Sequence, residues 1–313
     1  MTASCRHRVR DALKQSRRER TALRIRQFVK SLSFNKMHRL VSFNGQILSN
    51  SESFLSAVSS AAFYGRGVFT TLAVYGGAPF LWKAHEKRLL ANALQIGVET
   101  DALNFKSLHN DLLELIKANQ IVDGRARFTL FDRRAGALWQ FENEHATDVL
   151  ITTADNRQPT GKAVKLIVSP FRVNSKSPLA GVKSCNYLEP ILALEAAKTA
   201  GFDEAVRLNE NGEIVSATMA NIFWIKDQTI LTPPVQTGAL DGTTRELIFK
   251  LTDQINLKVV ESVAQLKDLQ QADEVFLTSS GLRICAVQNL NEKSFENHLT
   301  QKLQTAFAEL TKV

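Results

Sequence analysis

Between Leu179 and Arg245 the chain places a lysine in a turn, a helix, a polar hairpin, and a glycine-threonine turn that enters a second helix. Lys183 lies in Leu179-Ala180-Gly181-Val182-Lys183-Ser184-Cys185-Asn186-Tyr187-Leu188. A helix is expected from about Glu189 to Ala200, with Pro190 suited to its first turn and Gly201 to its end. Asp203 to Leu208, Glu213 to Val215, Ala220 to Lys226 and Thr229 to Thr232 read as strands of a meander, turning at Asn211-Gly212 and Asp227-Gln228. Gly238-Ala239-Leu240-Asp241-Gly242-Thr243-Thr244-Arg245 then opens a helix running to about Gln254. Short strands and tight turns flanked by helices restrict this half to an α+β arrangement. One amine, amide donors at a helix start and a hydroxyl-rich strand are what a ligand bearing an aldehyde and a phosphate requires.

The rest of the chain sets the bounds. With 313 residues, 44% of them hydrophobic, there is enough material for two domains with separate cores. No apolar run approaches the roughly 18 residues of a membrane span, so no membrane association is expected. Cys5, Cys185 and Cys285 are odd in number and widely spaced, which fits a reducing compartment and gives neither a disulfide framework nor a metal site. The net charge of +8 is concentrated at the start: residues 1–36 hold 11 Lys/Arg against two acids, so the remainder carries 8 − 9 = −1. A nucleic-acid arm, an organelle transit peptide and an extension outside the fold are the three readings of such a segment. The third is expected, disordered or not native, with Met37 as the natural start; the location is then cytoplasmic, or an organelle if residues 1–36 are a transit peptide.

A small α/β domain is expected over 37–155. Its strands are placed at 40–48, 66–75, 78–83, 125–131 and 147–153, with a turn at Gly76-Gly77. Its helices run from about Ala84 to Ile96 and through Phe105, Leu108, Leu112, Leu115 and Ile116, which share one face. Residues 156–163 read as a linker and 164–313 as a larger domain. The latter adds strands at 164–169, 257–261 and 274–278, and a last helix capped by Ser294 with Phe295, Leu299, Leu303 and Phe307 as its apolar stripe.

Five separated motifs occur in order: Phe63-Tyr-Gly-Arg-Gly-Val-Phe69, His85-Glu-Lys-Arg-Leu89, Val182-Lys-Ser-Cys-Asn-Tyr-Leu188, Ala220-Asn-Ile-Phe-Trp224 and Gly242-Thr-Thr-Arg245. Together they make the chain, from about Leu40 to Val287, resemble the fold type IV pyridoxal-phosphate enzymes. These are the branched-chain and D-amino acid aminotransferases and aminodeoxychorismate lyase. The resemblance implies a two-domain α+β fold of the D-amino acid aminotransferase type, pyridoxal 5'-phosphate as cofactor and a homodimer. Lys183 would be the Schiff-base lysine and the base that moves the substrate proton. Arg88, Gly242, Thr243, Thr244, Ser279 and Ser280 would face the phosphate, and Leu240 would pack on the ring. Tyr64 is a candidate hydrogen-bonding group near the lysine. His85 reads as a helix-start residue rather than a ligand, and Asn211-Gly212 and Trp224 as structure.

One departure shapes the functional expectation. The family usually has a glutamate five residues before the asparagine of Ala-Asn-Ile-Phe, where it pairs with the pyridine nitrogen. That position holds Ser216, and Glu213 projects to the opposite face of the strand. A serine offers only a neutral hydrogen bond, so the ring is a weaker electron sink, which hampers transamination more than elimination. Phe69-Thr70-Thr71, Pro178 to Lys183 and Asn221 to Trp224 also resemble the lyase. The expected activity is therefore 4-amino-4-deoxychorismate lyase, giving 4-aminobenzoate and pyruvate for folate synthesis. The alternatives are a branched-chain or D-amino acid aminotransferase and a non-catalytic binding homologue. Arg66 and Arg283 are the first choices for the substrate carboxylates, before Arg125, Arg127 and Arg133.

Overall fold

The computed structural model describes residues 37–134, 136–137, 140–141, 146–155 and 163–311. The basic segment 1–36 and, apart from Ala163, the expected linker lie outside them. The first half forms β1 (Leu40–Phe43), β2 (Gln46–Ser49), α1 (Ser60–Tyr64), β3 (Gly67–Tyr75), β4 (Ala78–Pro79), α2 (Trp82–Ile96), α3 (Phe105–Ala118), β5 (Gly124–Asp132), a small hairpin of β6 (Gly136–Ala137) and β7 (Gln140–Phe141), and β8 (Thr147–Asp155). The second half forms β9 (Val164–Val168), α4 (Leu188–Thr199), β10 (Glu204–Leu208), β11 (Ile214–Ala217), β12 (Asn221–Lys226), β13 (Thr229–Thr232), α5 (Thr243–Gln254), β14 (Lys258–Glu261), α6 (Leu266–Gln270), β15 (Glu274–Ser279), β16 (Arg283–Leu290), β17 (Lys293–Ser294) and α7 (His298–Leu310). Helices and largely antiparallel sheets make this an α+β fold.

The first sheet has the order β2-β1-β8-β5-β3-β4 and is antiparallel throughout. Its covered face is sealed by Leu72, Phe128, Leu130 and Ile151 packing with Leu89 of α2 and Leu112 and Leu115 of α3. The second sheet runs β11-β10-β9-β16-β15-β12-β13-β14, with parallel pairs at β9–β10, β9–β16 and β13–β14. Both of its faces are covered. On β12, Ile222 and Trp224 enter one core while Phe223 and Ile225 enter another, beneath α5 and α7. That is why this strand reads as an unbroken apolar run rather than an alternation.

Several expectations change. The strand placed at 40–48 is a hairpin, because Asn44 and Gly45 both have positive φ (51° and 80°) and supply the two-residue turn. The strand placed at 78–83 stops at Pro79, and the helix begins at Trp82 after Leu81 turns into the left-handed region (φ 55°). The four-strand meander is broken: β12 pairs with β15 and β13, not with β11. The turn between β11 and β12 is closed by Ala217 N–H donating to the Ala220 carbonyl, and the buried Glu204 carboxylate accepts from the amides of Thr218 and Met219 and from the Thr218 hydroxyl. Ser294 does not cap the last helix but pairs in β17. The cap comes from across the sheet, where the Glu274 carboxylate accepts from Leu299 N and Thr300 N, each at 2.8 Å, and from Thr300 Oγ1 at 2.7 Å.

Candidate active site

Lys183 is fixed by its backbone to the first sheet. Its N–H donates to Asn92 Oδ1 of α2 (2.9 Å), its carbonyl accepts from Phe69 N (2.9 Å), and Cys185 N donates to the Gly67 carbonyl (2.8 Å). A side chain at Gly67 would run into the Leu130 carbonyl, which is why this close approach needs glycine. The helix that follows, α4, packs on β10 of the second sheet, so the lysine stands where the two sheets meet. Its Nζ lies 4.5 Å from the centre of the Phe69 ring and 4.7 Å from that of Tyr187, and donates to the Tyr187 hydroxyl at 3.4 Å. Desolvation, followed by the repulsion of Arg88 and Arg127, lowers the Lys183 ammonium to about 7. At neutral pH a large fraction is therefore the nucleophilic amine.

Beside it is a candidate anion site. Arg88 and His85 leave α2 on one face, three residues apart. Arg88 Nη2 donates to Thr70 Oγ1 (2.8 Å), which lies 2.7 Å from His85 Nδ1; His85 Nε2 is 3.2 Å from Thr243 Oγ1 and 3.5 Å from Ser280 Oγ. His85 is 1% exposed, and desolvation together with the Arg88 and Lys183 charges lowers it to about 3, so the imidazole is neutral. Burial also lowers Arg88, to about 10, and it remains cationic. Its Nε is buried without a hydrogen-bond partner. Opposite it, α5 has Gly242 at its N-cap and no side-chain cap, leaving the first amides unused by the helix. Asn221 Nδ2 holds the Leu240 carbonyl at 2.8 Å, and a methyl group at 242 would collide with Asn221 Oδ1. A buried cation with an orphan donor, helix-start amides and threonine hydroxyls form a fitting receptor for a phosphate.

The structure thus brings together Lys183, Arg88, Thr243 and Ser280 around His85, with Gly242 and Thr244 at the same helix start and Leu240 just before it. Ser279 is used differently: its hydroxyl accepts from Leu282 N at 3.1 Å and shapes the turn. Ser216 faces Arg207 across the β10–β11 pair, while the Glu213 carboxylate accepts from Asn209 Nδ2 (2.7 Å). A cavity of about 250 Å³ is lined by Tyr64, Arg66, Ile96, Leu179, Ser184 and Asn186 among others. Arg66, at its wall, is tied down: Nε donates to the Ile96 carbonyl and lies 3.3 Å from Asp132 Oδ2, and Nη2 donates to the Gly97 carbonyl. Arg283 stacks over Tyr75, 4.7 Å from its ring centre.

Four side chains gain importance that their sequence positions alone did not show. Tyr187 supplies the hydroxyl beside Lys183. Arg127 lies over Phe69 at 3.6 Å and contributes to the lysine's lowered pKa. Asn92 anchors the lysine's backbone. His85 does sit in the first turn of α2 as expected, yet it is also the hub of the anion site. Tyr187 and His85 both lie within the ordered motifs, whereas the parts played by Arg127 and Asn92 emerge only from tertiary packing.

The sequence matches a family model described as amino-transferase class IV over residues 67–290. A provisionally named branched-chain-amino-acid aminotransferase of Methanocaldococcus jannaschii is 29% identical over 276 residues, covering 85% of this chain and 94% of that protein. The aminodeoxychorismate lyase of Bacillus subtilis is 27% identical over 276 residues, covering 86% and 93%. The crystal structure of the Escherichia coli branched-chain amino acid aminotransferase matches with a TM-score of 0.83 at 25% identity, over 88% of this chain and 95% of that one. The chain belongs to the amino-transferase class IV family, has the fold type IV architecture, and takes pyridoxal 5'-phosphate as its cofactor.

Proposed function

We propose that this protein is a 4-amino-4-deoxychorismate lyase that releases 4-aminobenzoate and pyruvate. The observation that carries the reading is Ser216: the place of the family's ring-pairing glutamate holds a hydroxyl, and the residue across from it is Arg207. Similarity to the Bacillus subtilis lyase supports the same choice. A branched-chain aminotransferase is the second reading, favoured by the 29% identical relative from Methanocaldococcus jannaschii.

Arg88, the amides at Thr243 and Thr244, and the hydroxyls of Thr243 and Ser280 would hold the phosphate, with Leu240 beside the ring. The cofactor supplies an aldehyde that engages the substrate amine and a ring that accepts electron density. Lys183 would take the proton from the amine-bearing ring carbon. The bond from the carbocycle to the enolpyruvyl oxygen breaks as the ring becomes aromatic, and enolpyruvate takes a proton to become pyruvate. Tyr187 orients the lysine through its hydroxyl. Arg127 is the preferred partner for a substrate carboxylate, because its charge acts on Lys183, whereas Arg66 is engaged by Asp132 and two carbonyls. A homodimer accompanies this reading; Leu188, Ile191 and Leu192 form an exposed apolar stripe on α4 that suits a protein contact.

The deciding assay supplies freshly made aminodeoxychorismate to the cofactor-loaded protein and follows both products, with Lys183→Ala as control. Equal release, lost in the control, is the expected result. Absence of release, together with keto-acid-dependent conversion of amino acids, would replace the lyase with the aminotransferase. Sedimentation of the same sample checks the dimer.

A further inference from the structure

Arg207 and Ser216 are directly opposite in the antiparallel β10–β11 pair, so their side chains leave the same face. Their neighbours Val206, Leu208 and Ala217 enter the core on the other face. Arg207 is only 8% exposed, and its Nε is buried without a hydrogen-bond partner. One Nη pairs with Glu189 in the first turn of α4. Its charge is felt at Tyr187, the residue whose hydroxyl receives Lys183 Nζ, which places the guanidinium on the active-site side. Desolvation makes an arginine costly inside a strand that otherwise reads Glu204-Ala205-Val206-Arg207-Leu208, and Glu189 satisfies only part of it.

We infer that Arg207, with Ser216 beside it, faces the pyridine nitrogen of the cofactor and donates a hydrogen bond that holds this nitrogen unprotonated. The inference rests on the assignment of pyridoxal 5'-phosphate to Lys183 and on Ser216 standing where the family places its ring-pairing glutamate. A guanidinium has five N–H donors and no acceptor, so it can bond to the nitrogen only through the nitrogen's lone pair. Its fixed positive charge also opposes a pyridinium beside it. The acids nearby are otherwise occupied. Glu189 is bound to Arg207, and Glu204 is turned into the 217–220 loop by Thr218 and Met219. Tyr187 is held in its neutral form by burial, which raises its pKa. The site thereby exchanges the family's carboxylate for a cation, and limits how much negative charge the ring can store. Chemistry in which the electron pair leaves at once through a departing group is favoured over steps that hold it on the ring.

The test loads the full-length protein with cofactor labelled with nitrogen-15 in the ring and records its nitrogen resonance. The expected wild-type signal is that of an unprotonated pyridine across neutral pH. It should move toward the protonated position in Arg207→Leu, and fully so in Arg207→Leu/Ser216→Glu. Ser216→Glu alone, which keeps the arginine, should move the signal the same way by drawing Arg207 into an ion pair, and it serves if the leucine variants do not fold. The visible band of the lysine-bound cofactor, lost in Lys183→Ala, is checked in every sample. Its absence overturns the cofactor assignment and this inference with it. A band accompanied by a protonated wild-type nitrogen, or by a signal that ignores both substitutions, overturns the role of Arg207 alone.

Discussion

Replacing Lys183 with methionine should stabilise the cofactor-free protein, and the gain should depend on pH in a defined way. The folded lysine loses its proton near pH 7, whereas its ordinary value is 10.5. Between those values the unfolded chain holds a proton that the folded chain has lost, so wild-type stability rises with pH across the window. Below pH 7 both states are protonated and the full cost of the buried ammonium is present. At about 1.4 kcal/mol per pH unit, that cost is roughly 5 kcal/mol at pH 6, about 4 kcal/mol at pH 7 and close to zero above pH 10.5. Methionine fills similar space without the charge, so Lys183→Met should melt higher by about 6 °C at pH 7, taking an unfolding entropy of about 2.1 cal/mol/K per residue over 313 residues. Thermal melts of both proteins, dialysed free of cofactor and run from pH 6 to 10.5, measure it. Adding pyridoxal 5'-phosphate should reverse the order, because only the wild type can bond to it. A variant no more stable than wild type at pH 7, or a difference that does not shrink as pH rises, would refute a lysine held near neutrality by burial.

Other parts of the site give sharper single readouts. Arg88→Leu removes the buried cation from the anion site, and loss of such a pairing costs roughly 2–5 kcal/mol, so the Kd for pyridoxal 5'-phosphate should rise about 30-fold or more in an equilibrium absorbance titration. Gly242→Ala should lose roughly 1–3 kcal/mol by driving a methyl group into Asn221 Oδ1, and Asn221→Ala in the same chain should recover part of the thermal midpoint. His85, lowered to about 3, should show carbon and proton NMR signals that do not move between pH 5 and 8; a titration near 6.5 would contradict its desolvated setting. Glu274→Ala should cost about 1–2 kcal/mol in chemical unfolding by uncapping α7, while Ser294→Ala, at the cap expected from sequence, should cost little.

What the sequence made legible was local. The lysine in its turn, the glycine-threonine helix start and the ordered motifs are each contained in fewer than ten residues, and their backbone requirements are visible there. The Asn44-Gly45 turn was equally visible, and a hairpin follows directly from it. Strand β16 was harder, since Arg283 to Leu290 shows no clean alternation and each residue's exposure depends on which of β15, β9 and β17 lies alongside. The Glu274 cap joins residues 25 apart, and the contacts of His85 join residues 70, 243 and 280, so neither leaves a periodic trace. Arg207 did leave one: a charged residue inside the apolar run of a strand asks for a partner.

The longer-range links also say why this site depends on both sheets at once. Lys183 is hydrogen-bonded to β3 and to Asn92 of α2, but the helix it leads into packs on β10. Arg88 starts from α2, is held by Thr70 of β3, and reaches the Asp241 carbonyl at 3.5 Å, at the outer limit of a hydrogen bond. His85 bonds to Thr70 on one side and Thr243 on the other. The first sheet therefore supplies the amine and the fixed cation, and the second supplies the helix-start amides, Ser280, and the Arg207–Ser216 pair. A small shift of one sheet against the other would separate the amine and Arg88 from the helix-start amides and Ser280. Positioning of reacting groups is sensitive on the ångström scale, so substitutions in the shared contacts among His85, Thr70 and Thr243 should lower turnover even where they leave the cofactor bound.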